Sequence, residues 1–289
     1  MSAEDHIALR MRIPGDETRS AEQLLRHYEV EKELATRLRS ASKRDRLDLY
    51  RSVYDELFRR VPDHPQVTAP KRASHQNKVS SQFHLVKPLL TPGGTFMEIG
   101  GGDCALSFEV APLVKQAWGV EVTDQLIPRP APPNFQEVLS NGSSIPLPSD
   151  TVDLAFSFSV AEHVHPEDFI EHLAEVHRVL KPGGVYYCVT PNRVLGPHDI
   201  SRYFDDVAAG LHLKEYTNGE MARLYRRAGF GAVWVEKRLK SIRWRMPVWA
   251  LQMAEGICGV LPRGIRTRLA SSRRLSWAME VSVAGRKPR

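Results

Sequence analysis

Thr95-Phe-Met-Glu-Ile-Gly-Gly-Gly-Asp-Cys-Ala-Leu-Ser107 is the stretch on which the fold of this chain turns. Thr95–Ile99 is a short, largely apolar run with the length of a buried strand. Gly100, Gly101 and Gly102 follow, and without a Cβ they let the backbone turn sharply and approach another group closely. From Ala105 the pattern becomes helical, with Leu106, Val110 and Leu113 on one face. Strand, glycine turn and helix together make the first unit of a doubly wound α/β fold, whose ligands lie at the carboxyl ends of the strands.

Working outward, a second strand over 116–122 ends at Glu121 and Val122, where nucleotide folds place a carboxylate that accepts ribose hydroxyl protons. A third strand over 135–139 and a fourth over 154–159 flank a polar turn, 140–153. A helix is expected over 166–180, with Pro166 at its first position and Glu167 and Asp168 in its first turn, where the helix dipole favours acids. A fifth strand follows over 185–190, a further helix begins near Asn218, and strands follow over 232–236 and 275–285.

No G-x-G-x-x-G dinucleotide fingerprint forms around the glycines, and Glu98 lies inside the strand, two residues before Gly100. The order Glu98-x-Gly100-x-Gly102-x-Cys104 resembles motif I of class I S-adenosylmethionine-dependent methyltransferases, E/D-x-G-x-G-x-G, with Cys104 in place of the third glycine. Residues 140–153 are similar to the family stretch G-D-A-x-x-L-P-F-P-D-x-S-F-D, with Asn141 at the position of the first Asp. Val179-Leu-Lys-Pro-Gly-Gly184 is similar to the family's R-V-L-K-P-G-G turn, and Ala228-Gly-Phe230 to its A-G-F turn. The likeness spans about 83–238 together with the last strand. It implies a Rossmann-like, seven-stranded doubly wound sheet, with S-adenosylmethionine as cofactor. The implied cofactor residues are Glu98, Gly100, Gly101, Gly102, Glu121, Val122, Asn141, Gly142, Ser157 and Ser159; Glu121 would take the ribose and Asn141 the adenine amino group.

The rest of the chain divides around this domain. Residues 1–19 read as a flexible lead. Residues 20–70 read as an N-terminal helical cap of two amphipathic helices, with plain packing beside the sheet as the simpler reading and cover over the substrate as the other. The methyltransferase domain takes 71–239 and 275–289. A helical insertion, 240–274, carries an apolar helix over 247–261 flanked by arginines, which suits a lid, a packed helix or a shallow contact with membrane or substrate. From Arg238 onward there are 12 Lys and Arg against Glu255 and Glu280, whereas the formal charge of the whole chain is +6. Cys104, Cys188 and Cys258 lie far apart with no C-x-x-C spacing, which argues against a disulfide framework or a zinc ribbon. The N-terminal stretch has no signal-peptide layout, and a cytoplasmic location is expected.

Methyl transfer from a sulfonium needs alignment of acceptor and methyl group, and a base when the acceptor is a hydroxyl. In the family's strand order, the segments leaving strands four and five border the methyl group. They hold His163, His198 and Asp199, taken as general-base candidates and an orienting carboxylate, and His165, Asn192, Arg193 and Arg202, which with His212 are the candidate substrate contacts. Glu162 and His163, joined by His198 or His212, partly resemble the ligand set of metal-dependent 2′-O-methyltransferases and some quinone O-methyltransferases. Ser159 stands where that set has an acid, and no metal is assigned. Ser157-Phe-Ser-Val160 replaces the Asn/Asp-Pro-Pro-Tyr/Phe of amino methylation, so the expected reaction is O-methylation of a small or lipid-like acceptor. The alternatives are a metal-assisted O-methyltransferase acting on RNA or a catechol-like or quinone-like acceptor, and a catalytically silent cofactor-binding scaffold. A nucleic-acid substrate is disfavoured because no RNA-binding module is present.

Overall fold

The computed structural model describes residues 17–68, 73–239 and 242–289. Most of the lead expected over 1–19, residues 69–72 at the cap boundary, and the start of the insertion lie outside the described residues. Strand β1 (Thr95–Ile99) sits mid-sheet between β2 (Gln116–Glu121) and β4 (Val152–Phe158), with β3 (Phe135–Leu139) beyond β2 and β5 (Leu180–Thr190) beyond β4. These five are parallel. β8 (Val281–Arg286) runs antiparallel to both β5 and β6 (Ala232–Leu239), and β7 (Ile242–Met246) pairs antiparallel with β6 at the edge. The order is β3-β2-β1-β4-β5-β8-β6-β7.

Side-chain alternation along β1 builds two cores. Met97 and Ile99 join one apolar cluster with Leu34, Val53, Phe169 and Tyr186. Phe96 joins the other with Val86, Leu106 and Val110, because successive residues of a strand point to opposite faces. The helices on the two faces are α1 (Ala21–Ser40), α2 (Lys43–Arg60), α3 (Ala73–Val86), α4 (Ala105–Val110), α5 (Pro166–Val179) and α6 (Asn218–Arg227). Ser20 caps α1 through a reciprocal box with Gln23, and Thr217 caps α6 in the same way with Glu220.

Two expectations are corrected. The sheet has eight strands rather than seven, because Ile242, Trp244 and Met246 alternate with Arg243 and Arg245 and add β7 to the edge, where charged residues suit an unpaired side. The final strand begins at Val281, not Leu275: Leu275, Trp277, Met279, Val281 and Val283 alternate as a strand would, yet β5 offers partners only from Val185 to Thr190. Without a strand to pair with, Arg273–Met279 folds as a helix, α9. The insertion therefore holds β7, α7 (Val248–Gly259) and α8 (Arg263–Ser271) and leads straight into α9.

Candidate functional site

At the carboxyl end of β1 the chain turns through Gly100 (φ +67°) and Gly102 (φ +71°). A Cβ on Gly100 would lie 2.4 Å from Val160, whereas beside Gly102 nothing lies within 4 Å. The first glycine is required by packing, and the second leaves bare backbone facing open space. Cys104, at the third motif position, adopts the left-handed conformation itself (φ 54°). Its Sγ occupies room that Gly119 of β2 leaves free, since a Cβ there would meet it at 2.5 Å. The departure from the glycine pattern is thus accommodated by a glycine on the neighbouring strand.

Glu98 lies on the far side of this turn. Its carboxylate accepts from the backbone N–H of Ser107 (2.8 Å) and from Ser107 Oγ (2.7 Å), pinning α4 to β1. Burial pushes its pKa up to about 7. Glu121 ends β2 with one carboxylate oxygen accepting from the Gly102 N–H at 2.9 Å. Burial, reinforced by the nearby Glu98 charge, raises its pKa to about 8.

One cavity joins Glu121 and the glycine turn to the segment after β4. Ile99, Gly100, Gly102, Glu121, Val122 and Thr123 form one wall. Ser140 and Gly142 form a second, and Ser159, Val160, His163, Val164 and His172 a third. Tyr50, Tyr54, Phe58 and Gln66 close it from the N-terminal cap. Tyr50, Tyr54 and Phe58 recur every four residues along α2, a spacing visible in the sequence and compatible there with plain packing or with cover over the substrate. His172, placed by the sequence reading in core or surface, also reaches the cavity, and burial lowers its pKa to about 4.

The structure separates the remaining candidates. His163 shares a hydrogen bond between Nδ1 and the Leu211 carbonyl at 3.0 Å; that carbonyl can only accept, so Nδ1 carries the proton and Nε2 is the basic nitrogen. Burial, and then the neighbouring His212, hold its pKa below the ordinary histidine value. His198 donates from Nε2 to the Asn192 carbonyl (3.0 Å) and does not line the cavity. The Asp199 carboxylate caps the turn at Ile200–Tyr203 through Ser201 N–H (3.0 Å) and accepts from Gly210 N–H (3.0 Å); it too lies outside the lining. His165 Nδ1 accepts from Glu167 N–H at the start of α5. Asn192 donates to Glu255 and to the Met279 carbonyl, Arg193 pairs with Glu220, and Arg202 donates to the Tyr203 hydroxyl. His212 alone of the substrate candidates sits beside His163, with ring centroids 4.8 Å apart, and bonds Glu215 through Nδ1 at 2.8 Å.

Four of the cofactor candidates, Glu98, Gly101, Asn141 and Ser157, lie outside this lining. Asn141 Oδ1 accepts from the N–H groups of Ser143 and Ser144, an Asx turn that occupies its carbonyl, while Ser140 and Gly142 beside it face the cavity. Ser157 is fully buried in β4, with its hydroxyl on Tyr186.

The residues present fit a nucleoside-bearing sulfonium. Gly102 has open space beside its backbone, and Glu121 is a buried acid to which two ribose hydroxyls would donate. Comparisons with known proteins agree. A family model described as a methyltransferase domain matches residues 97–188. A Mycolicibacterium smegmatis protein named "probable S-adenosylmethionine-dependent methyltransferase" is 29% identical over 140 residues, 48% of this chain, which spans about half (52%) of that relative's length. Among solved structures, the protein in complex with the Trm112 methyltransferase activator of Haloferax volcanii matches with a TM-score of 0.54 and 16% identity over 78% of this chain and 97% of that one. The 1,6-didemethyltoxoflavin-N1-methyltransferase of Burkholderia thailandensis, solved with S-adenosylhomocysteine, matches at 0.53 and 14% over 86% and 92%. At these identities the structural likenesses bear on fold alone. Residues 97–188 thus match a methyltransferase domain, and the chain is similar to S-adenosylmethionine-dependent methyltransferases.

Proposed function

We propose that the protein transfers a methyl group from S-adenosylmethionine to a hydroxyl of a small or lipid-like apolar acceptor, with His163 taking the hydroxyl proton. The observation that carries this reading is the shared cavity, in which Glu121, the glycine turn and His163 face one space roofed by Tyr50, Tyr54 and Phe58. Bound there, the cofactor supplies an electrophilic methyl group on a cationic sulfur, so no acid is required for its departure. Gly102 presents bare backbone and Glu121 accepts the ribose hydroxyls. The cap side chains exclude water and offer an apolar surface to the acceptor. His163 is held neutral by burial and by His212, and directs its basic Nε2 by holding Nδ1–H on Leu211. Incubation with methyl-labelled S-adenosylmethionine and a pool of hydroxyl-bearing lipids and metabolites tests this. Label on oxygen is expected; label on nitrogen or sulfur overturns the acceptor assignment, and no labelled product favours a binding-only scaffold.

The state of Glu121 makes binding proton-linked. In the free protein its carboxyl, at about 8, is mostly protonated at neutral pH. Ribose hydroxyls donate to the ionised form and lower its pKa, so binding at pH 7 releases a proton and affinity rises with pH until about 8 is passed. Calorimetry of S-adenosylhomocysteine binding in buffers of different ionisation enthalpy measures that release. Glu121→Gln is expected to abolish it and to weaken binding by about 1–3 kcal/mol. Proton-neutral binding by the unaltered protein would mean that Glu121 is ionised before binding, and unchanged affinity in Glu121→Gln would remove it from the ribose role.

A second reading rests on a separate observation. Glu162 is fully buried, with one carboxylate oxygen on Thr190 Oγ1 (2.6 Å) and the other without a partner. One ligand atom from each of Glu162, His163 and His212 lies within 4.8 Å of the others. Leu211 and Glu215 hold the Nδ1 atoms of the two rings, the outer contacts by which metal-binding histidines are oriented. In this reading Glu162, His163 and His212 would hold a divalent cation, which would supply Lewis-acid activation of a hydroxyl. Equilibrium dialysis with Zn²⁺, Mn²⁺ and Mg²⁺ followed by elemental analysis is expected to find about one ion per chain, lost in Glu162→Gln. Stoichiometry near zero for all three ions disposes of it.

A further inference from the structure

We propose that the outer face of α7 is a docking surface for an anionic lipid bilayer, on which the helix lies flat. Trp249, Met253 and Ile257 stand four residues apart on one side of α7 and are 62%, 61% and 64% exposed; Val260, just past its end, is 84% exposed. Trp244 and Ile265, on either side of the helix, are exposed as well. Among the described residues, large exposed apolar side chains elsewhere (Leu113, Leu139, Ile170 and Val207) are scattered singly. A contiguous apolar row on one element is the kind of patch that marks an interaction surface.

The exposure is enforced from the other side of the helix. Val248, Leu251 and Glu255 are buried. The Glu255 carboxylate accepts from Asn192 Nδ2 (2.8 Å), Asn218 N–H (2.6 Å) and Asn218 Nδ2 (2.9 Å). Rotating α7 to hide Trp249 and Ile257 would withdraw Glu255, leave the Asn218 N–H unpaired and take one acceptor from each of the two amides. A helix that buries its only acid and exposes its apolar row is oriented for a surface other than water.

Charge selects the occupant. Residues 242–274 carry seven arginines and one acid, and that acid is the inward-facing Glu255. Arg245, Arg268 and Arg274 are exposed. Basic residues around an apolar row containing tryptophan match the negative surface and apolar interior of an anionic leaflet. A second copy of this chain would instead bring two arginine-rich rims together. The helix, 12 residues long, is too short to span a bilayer, and no helix among the described residues is long and apolar enough to cross one. α7 is also anchored through Glu255 to Asn192, in the segment that leaves β5 at the end of the sheet where the cavity lies.

Co-sedimentation of the full chain with vesicles of phosphatidylcholine alone, and of phosphatidylcholine with phosphatidylglycerol, tests the proposal without reference to methyl transfer. Binding to the mixed vesicles is expected to exceed binding to the neutral ones by about tenfold and to fall as salt is raised. The double substitution Trp249→Glu with Ile257→Glu is expected to lower vesicle binding about tenfold or more while leaving the circular dichroism, thermal unfolding and S-adenosylhomocysteine affinity in place. Equal binding by the substituted protein, or no binding to either vesicle, overturns the proposal. A concentration-dependent dimer in sedimentation analysis that the same substitutions dissociate also overturns it, and gives the face to a second copy of the chain.

Discussion

Replacing His163 by asparagine is expected to lower kcat by about 10²–10⁴-fold, the usual contribution of a positioned general base, while changing S-adenosylhomocysteine affinity by less than about twofold. The asparagine amide can still donate to the Leu211 carbonyl that holds the ring, so the substitution removes the basic nitrogen and keeps the tie to the 208–212 loop. His198→Ala serves as the comparison, because that ring rests on the Asn192 carbonyl outside the cavity and is expected to cost little in kcat. The readout is steady-state turnover of the acceptor found by labelling, with and without a chelator. Equal losses for the two variants would take the base role from His163. A chelator-sensitive unaltered enzyme would transfer the chemistry to the Glu162, His163 and His212 set.

Asp168→Ala is expected to destabilise the protein by about 3 kcal/mol, because it removes the buried carboxylate and leaves the Arg46 guanidinium only the exposed Glu167 and the Ala41 carbonyl. Asp168 is fully buried at the start of α5 and Arg46 on α2 is 3% exposed. Arg46 Nε donates to one Asp168 oxygen at 2.8 Å and Nη2 to the other at 2.9 Å, and the Tyr50 hydroxyl donates to the same carboxylate at 2.8 Å. Tyr50 also accepts the His165 N–H (2.9 Å), so one network fastens the cap to the segment beside His163. Burial alone would raise the Asp168 pKa, but Arg46 and Tyr50 outweigh it and hold it below the ordinary aspartate value. The stability this gives is present above the unfolded aspartate pKa and is lost as pH falls through the lower folded value. Denaturant unfolding measures the cost, and the double replacement Arg46→Met with Asp168→Leu should lose less than Asp168→Ala because neither charge is left alone. A loss under about 1 kcal/mol for Asp168→Ala would mean that the cap is held by its apolar stripe and not by this pair.

The same cap shows where sequence reading stops. Leu34, Leu38, Tyr50, Val53 and Leu57 lie at helical spacing, and the two helices form where that periodicity and their capping serines place them. Nothing in the spacing distinguishes a tyrosine that fills a core from one that roofs a cavity. Tyr50 is buried and also lines the cavity, a double role that depends on α5 and the 140–142 turn arriving from elsewhere in the chain. His163 and His198 were equivalent as sequence candidates, and only the loop 208–212, tied to α1 through Glu31 and Arg39, puts His163 with His212 and leaves His198 on its own backbone.

By itself the sequence determined the parallel core, the glycine turn, Glu121 at the end of β2 and the cofactor class. Each of these is encoded within a few consecutive residues, where strand period, glycine conformation and local hydrogen bonding operate. Tertiary structure alone decided the eighth strand, the late start of β8, the inward set of Glu255 and the separation of the histidines. Those outcomes depend on which distant partner is within about 3 Å of a donor or a strand edge, and that distance is set by the packing of the whole chain.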